Sequence, residues 1–161
     1  FILLQQVVEA VTGKTLDAYL VSEFYRPMGL EHTLFQPLNR YKKADIMPTA
    51  ANDYLRRQDL CGYVHDEAAA FMGGVSGNAG LFSTAQELGK IYQMILNEGE
   101  LDGKRYLRPE TCRIFTTEKS AVSHRGLGYD KPEGSEGKCL CIFGSGFCLR
   151  AYRLYGYLCL G

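Results

Sequence analysis

The sequence carries no surplus of charge. Eighteen lysines and arginines meet eighteen aspartates and glutamates, which leaves no electrostatic footprint for nucleic acid or an anionic membrane surface. No apolar run reaches the length of a membrane span. Six cysteines are present, yet none forms a Cys-x-x-Cys pair, so a zinc or thioredoxin-like reading loses its motif. His32 and His124 stand isolated, and His65 has no second cluster at ligand spacing, so neither a metal nor a cofactor is expected. The opening Phe1-Ile2-Leu3-Leu4 has no Met and no basic stretch. It reads as the middle of a helix rather than a signal peptide, and localisation cannot be read from this end.

What is present fits an ordinary globular domain. Hydrophobic residues make up 46% and charged residues 22% of 161 positions, enough for one domain with a real core. Residues 1–11 place Leu4, Val7, Val8 and Val11 on one helical face, and Gly13 suits the helix end. Thr15 then suits an N-cap. A second helix over 16–25 carries Leu16, Tyr19, Leu20 and Phe24, and Pro27 and Gly29 close it. The two helices form a hairpin.

Residues 31–60 show no period and read as a long ordered excursion, anchored by Leu34, Phe35, Ile46, Tyr54 and Leu60. Residues 67–72 suit a helical turn. Ser83-Thr84-Ala85-Gln86 matches a capping box with Ser83 as N-cap. Leu88, Ile91, Tyr92, Ile95 and Leu96 follow at helical spacing, and that helix ends near Gly99. Pro109 and Glu110 fit the first turn of another helix, running to Phe115. A strand could start over 127–129.

Four places invite a chemical reading. The loop Gly73-Gly74-Val75-Ser76-Gly77-Asn78-Ala79-Gly80 opens a helix, as phosphate cradles do. It lacks the Gly-Lys-Ser/Thr and G-x-G-x-x-G patterns, so a tight loop that brings backbone close to another element is favoured. Ser76 is not in a G-x-S-x-G elbow, because Asn78 takes the last glycine's place, and it makes a poor nucleophile candidate. His65-Asp66-Glu67 groups titratable side chains, which could line a cleft or serve structural hydrogen bonds. Ser135-Glu136-Gly137-Lys138 formally matches S-x-x-K. Its flanking glycines and charges argue against the buried helix start which that motif needs.

The order of features resembles the β-lactamase-related serine hydrolases, which include class C β-lactamases, D-alanyl-D-alanine carboxypeptidases and related esterases. The segment Phe1 through Gly13 resembles the helix after the family's Tyr-x-Asn motif. Arg26-Pro27-Met28-Gly29-Leu30-Glu31-His32-Thr33 resembles its "P-L-G-M-x-x-T" segment. The most specific match runs through Gly62-Tyr63-Val64-His65-Asp66-Glu67-Ala68 and Gly73 to Thr84, and Gly126-Leu127-Gly128-Tyr129 resembles the strand entry before the last catalytic motif. Residues 49–67 look like the Bacteroidetes-type domain sometimes fused to a glycoside hydrolase.

The resemblance implies an α/β (α+β) chain, a portion of the three-layer β-lactamase/transpeptidase-like fold drawn mostly from its helical subdomain. It implies acyl transfer, in which a serine attacks a carbonyl, a lysine and a tyrosine manage protons, and backbone N–H groups hold the oxyanion. The substrate would be a small molecule or peptidoglycan-like, and the location periplasm or cell envelope. No catalytic residue is assigned. The S-x-x-K and Tyr-x-Asn motifs would precede Phe1, and no Lys/His-Thr-Gly triplet follows Tyr129. Tyr63, His65, Asp66, Ser76 and Asn78 are the cleft-lining candidates. The alternative is a non-catalytic penicillin-binding-like module that holds cell-wall material or a partner.

The end of the chain differs in composition. After Glu136 there is no Asp or Glu, and Cys139, Cys141, Cys148 and Cys159 crowd there. Unpaired thiols are favoured over a disulfide cluster. Back-translated with allowed codons and read one base later, residues 149–161 give Tyr-Gly-His-Thr-Gly-Phe, as in the family's His-Thr-Gly strand. Residues 1–137 are therefore expected to form a partial β-lactamase-like domain and 138–161 an aberrant, frame-shifted tail. Helices that cover an absent sheet should leave apolar faces bare, such as the Leu88–Leu96 stripe, and give a marginal or aggregation-prone monomer.

Overall fold

The computed structural model describes residues 1–117, 122, 127–130 and 150–151. The described residues fall into two compact units, one within Phe1–Tyr92 and one within Gln93–Leu154. The Ser135–Lys138 match, His124 and the four cysteines of the tail lie outside the described residues.

The first unit opens with the expected helical hairpin. Helix α1 (Ile2–Thr12) ends on Gly13, whose left-handed φ of 67° lets its N–H reach the Glu9 carbonyl. Helix α2 (Leu16–Leu20) continues into a π-helical turn over Val21–Tyr25. Thr15 makes no side-chain cap. The Glu9 carboxylate does that work, accepting the Leu16 N–H at 2.9 Å and the Gln5 amide at 3.1 Å. The hairpin is thus held by a side chain from the first helix rather than by the residue before the second.

Residues 31–61 hold more regular structure than their lack of period suggests. Strand β1 (Leu34–Phe35) pairs antiparallel with β4 (Leu81–Phe82). Strands β2 (Pro48–Asp53) and β3 (Gln58–Cys61) form a hairpin, in the register Pro48↔Cys61, Ala50↔Leu60 and Asp53↔Gln58. Two register irregularities interrupt the ladder, which erases the two-residue alternation a strand normally shows. Of the proposed anchors, Ile46 and Leu60 are buried and Tyr54 is exposed.

Helix α3 (Glu67–Phe71) and helix α4 (Ala85–Leu96) complete this unit, α4 running on past Tyr92. Between them the glycine loop packs backbone on backbone. A Cβ on Gly77 would sit 2.6 Å from the Phe1 carbonyl oxygen, and one on Gly80 would sit 2.5 Å from that of Gly74. The core gathers Leu16, Tyr25, Met28, Leu30, Ile46, Leu60, Val64 and Ala69. Helix α1 turns its apolar side outward, leaving Leu4, Val7 and Val11 exposed while Gln5 is buried. The α4 stripe is half-buried, with Leu96 exposed.

In the second unit, strands β5 (Glu100–Leu101) and β6 (Lys104–Arg105) pair around Asp102-Gly103, both at positive φ, as a two-residue hairpin turn demands. Helix α5 (Pro109–Thr116) begins on its proline and is tied back by Arg113, which donates to both Glu98 carboxylate oxygens at 2.9 and 2.7 Å. Strand β7 (Tyr129–Asp130), near the strand start expected over 127–129, pairs with β8 (Arg150–Ala151).

Candidate functional site

Three of the five cleft-lining candidates meet in one chain of hydrogen bonds. Asp66 caps α3: its Oδ1 accepts the Ala69 N–H at 2.8 Å and the Asn78 amide at 3.0 Å. Asn78 in turn accepts the Ser76 hydroxyl at 2.6 Å. Ser76 is 3% exposed. Next to it, the Gly77 N–H donates to the Gln5 side-chain oxygen at 2.9 Å. Tyr63 lies close by, with its hydroxyl on the Ala70 carbonyl at 3.3 Å and its ring against Gly74. His65 turns elsewhere. Its Nε2 stands 3.6 Å from the buried Asp53 carboxylate, and its carbonyl accepts Arg56.

This arrangement limits what the cluster can do. A serine nucleophile needs an adjacent base to take its proton. Ser76 gives its proton to an amide oxygen, which is no base at neutral pH, and Asp66 accepts through Oδ1 from the Ala69 N–H and the Asn78 amide rather than from Ser76.

A second constellation escaped the sequence reading. Glu87, in the first turn of α4, is buried and accepts the His32 backbone N–H at 3.0 and 3.1 Å, His32 Nδ1 at 2.9 Å and the Thr33 hydroxyl at 2.6 Å. Thr33 also shares a hydrogen bond of 2.7 Å with Ser83. Ser83 is therefore occupied by Thr33 and does not cap α4. Thr84 does so instead, accepting the Glu87 N–H at 3.2 Å. The capping box shifts by one residue, and its acidic member closes on the loop before β1 rather than on its own cap. The imidazole of His32 stacks on Tyr41 at 5.6 Å between centroids.

A carboxylate, an imidazole and two hydroxyls together have the composition of a hydrolytic triad, but not its order. The Thr33 hydroxyl reaches the carboxylate directly, so the imidazole does not stand between carboxylate and nucleophile. The group is a clamp between loop and helix.

Burial would push the Glu87 carboxyl up, but the hydrogen bonds from Thr33 and His32 outweigh it and hold it below the ordinary carboxylate range. The sign follows from that depression. The clamp's electrostatic contribution is full above the unfolded carboxylate value of about 4.3 and is lost as pH falls through the lower folded value. Denaturation midpoints recorded between pH 6 and 3 should fall on the acid side, and fall less in Glu87→Gln. Equal slopes in the two proteins would remove Glu87 as the source.

Among the described residues, no group of three or more His, Cys, Asp or Glu side chains could hold a metal ion. No helix among them is long and apolar enough to cross a membrane.

Comparison with known proteins places these features in context. The β-lactamase family profile matches residues 1–149. A relative from Escherichia coli (strain K12), provisionally named a D-alanyl-D-alanine carboxypeptidase, is 39% identical over 141 residues, covering 80% of this chain and 32% of the relative. One from Bacillus subtilis (strain 168), named an N-acetylmuramyl-L-alanine amidase, is 35% identical with the same coverage. One from Salmonella newport (strain SL254), also provisionally named a D-alanyl-D-alanine carboxypeptidase, is 33% identical over 80% of this chain and 33% of its own length. The chain spans about a third of the length of these relatives.

Proposed function

The chain belongs to the β-lactamase family of serine hydrolases, and from that premise we propose that it forms the helical-subdomain and cleft-rim portion of an acyl-transferring enzyme and does not catalyse by itself. The substrate class is a β-lactam, a D-alanyl peptide or an ester. The peptidoglycan-related names of the relatives favour the D-alanyl peptide and a place in the periplasm or cell envelope. Attachment to a glycoside hydrolase domain belongs to the same proposal and rests on residues 49–67 alone.

The observation that carries the lack of catalysis is Ser76. It lies in the glycine loop of the most specific family segment, and it is buried with its hydroxyl committed to Asn78. The sequence also contains no Tyr-x-Asn and no Lys/His-Thr-Gly triplet. Acyl transfer without a nucleophile–base pair and its proton relay loses its chemistry.

Incubation with a fluorescent penicillin, and separately with a fluorophosphonate, tests this. The expected result is no covalent label on the chain. A serine adduct located by peptide mass mapping at Ser76 or Ser135 would overturn the proposal. Retention of the unlabelled chain on peptidoglycan would instead favour the non-catalytic binding module.

The domain boundary is part of the same reading: 1–137 carries the family fold and 138–161 is frame-shifted. The family match continues to residue 149, and the source DNA decides between them. A one-base slip near Lys138 that restores His-Thr-Gly supports the boundary, and a sequence in which no single-base shift does so removes it.

A further inference from the structure

A cavity of about 570 Å³ lies beside the π turn, between it and the loop that leads to β1. Its polar wall is built from two arginines. Arg26 and Arg40 both line it, and among the described residues neither has a carboxylate within ion-pair distance. Arg40 is fixed by donating to the Glu31 carbonyl at 2.9 Å and by lying over the Tyr41 ring at 5.5 Å. Val21, Leu30 and Leu34 supply an apolar wall.

The third feature is Tyr25. The residue is only 6% exposed, yet it lines the cavity, and among the described residues its hydroxyl has no hydrogen-bond partner. That hydroxyl is also missing from the sealed, unpartnered side-chain atoms of the described residues, which are those of Thr49 and Arg56. Its oxygen therefore keeps some exposure, and Tyr25 is one of the residues that line the cavity. A phenol left without a partner at the floor of a pocket is a donor waiting for an acceptor, since buried polar groups are almost always paired.

We propose that this cavity binds a small apolar monocarboxylate. The carboxylate would accept from Arg26, Arg40 and the Tyr25 hydroxyl, and the apolar part would lie on Val21, Leu30 and Leu34. Guanidinium groups suit a planar carboxylate, and the bonds are charge-assisted. Glu31 also lines the cavity. Its negative charge leaves the lining with a net charge of one positive unit and disfavours a dianion such as phosphate. The site does not depend on the acyl-transfer reading, because none of its residues belongs to that chemistry.

Ligand-detected NMR on the full chain tests the site with phenylacetate, its neutral counterpart 2-phenylethanol, and inorganic phosphate. Phenylacetate should bind saturably, and the other two should bind at least about tenfold more weakly, the loss expected for one charge-assisted interaction. Arg26→Gln should weaken phenylacetate by about tenfold. Tyr25→Phe, which keeps the buried ring, should weaken it severalfold, so the claim stands or falls even if Arg26→Gln does not fold. Glu31→Gln should tighten phenylacetate and narrow the gap to phosphate, a response that mere structural damage would not produce. Absence of saturation, equal binding of the alcohol or of phosphate, or unchanged binding in both Arg26→Gln and Tyr25→Phe would each overturn the assignment.

Discussion

Replacing Glu87 by alanine is expected to destabilise the first unit by about 3 kcal/mol, the largest effect of any single side chain outside its apolar core. The estimate follows from the partners left behind. One carboxylate accepts from the His32 backbone, the His32 ring and the Thr33 hydroxyl. Bonds to a charged group are worth about 1.5–3 kcal/mol each, and orphaned buried donors cost their full desolvation. The sum is capped because Thr33 keeps Ser83 and the His32 ring can turn to water. Equilibrium urea denaturation reads the change directly, and Glu87→Gln, which keeps an acceptor oxygen, should lose less. A loss under about 1 kcal/mol for the alanine variant would mean the clamp is a surface contact of ordinary worth.

Gly99→Ala should cost the second unit about as much, for a reason unrelated to lost contacts. Gly99 sits at φ 95° just after α4, where its N–H returns to the Met94 carbonyl at 2.8 Å. A Cβ there would stand 2.3 Å from the Leu107 carbonyl oxygen and 2.7 Å from its carbon. Neither side can yield easily, because the Gly99 carbonyl accepts both Tyr106 and Leu107 N–H groups. Backbone strain of about 1–3 kcal/mol and overpacking of similar size together give about 3 kcal/mol or more. Gly103→Ala is the control. It shares a positive φ of 76° but has nothing within 4 Å of the added carbon, so it should cost only about 1 kcal/mol. Equal losses in the two variants would show that conformation alone, not the clash, sets the penalty.

What could be read from the residues depended on whether the deciding contact was local. Gly13 and Gly99 were legible as helix ends because a left-handed turn needs only the glycine itself. The Ser83/Thr84 choice was not. Two adjacent hydroxyls offer the same cap, and Thr33, fifty residues away, settles it by taking Ser83. The β2–β3 hairpin was hidden because its two irregularities break the alternation that marks a strand. Asp102-Gly103 is a residue pair that favours two-residue hairpins, yet its strands are two residues long and show no period, so the hairpin was not legible. In α1 the apolar spacing was clear, but the side that faces inward was not. Gln5 points into the unit because it serves both Glu9 and Gly77.

The same distinction governs the candidate sites. Asp66, Asn78 and Ser76 were singled out by position in a recognisable segment, and they do converge. The adjacency of Asp66 to His65 carried no information, since neighbouring side chains in a loop diverge. His32 and Glu87 lie 55 positions apart. Only the β1–β4 pairing, which brings the stretch after Gly29 against the start of α4, makes them neighbours.

The π turn at Val21–Tyr25 makes this segment a phase shifter. Its Arg26 N–H closes on the Val21 carbonyl, five residues back, so the helix carries one residue more than an α-helical winding would hold. One residue is worth about 100° of rotation about the axis. Removing any one of those five would restore regular winding and improve the local hydrogen bonds. Removing one of residues 21–24 would also swing the residues that follow the turn by about that angle, carrying Tyr25 off the core and Arg26 away from Arg40. The surplus residue therefore marks a point where insertion and deletion are not interchangeable with substitution: an exposed side chain such as Ser22 can be exchanged, but the count is fixed by the geometry on either side.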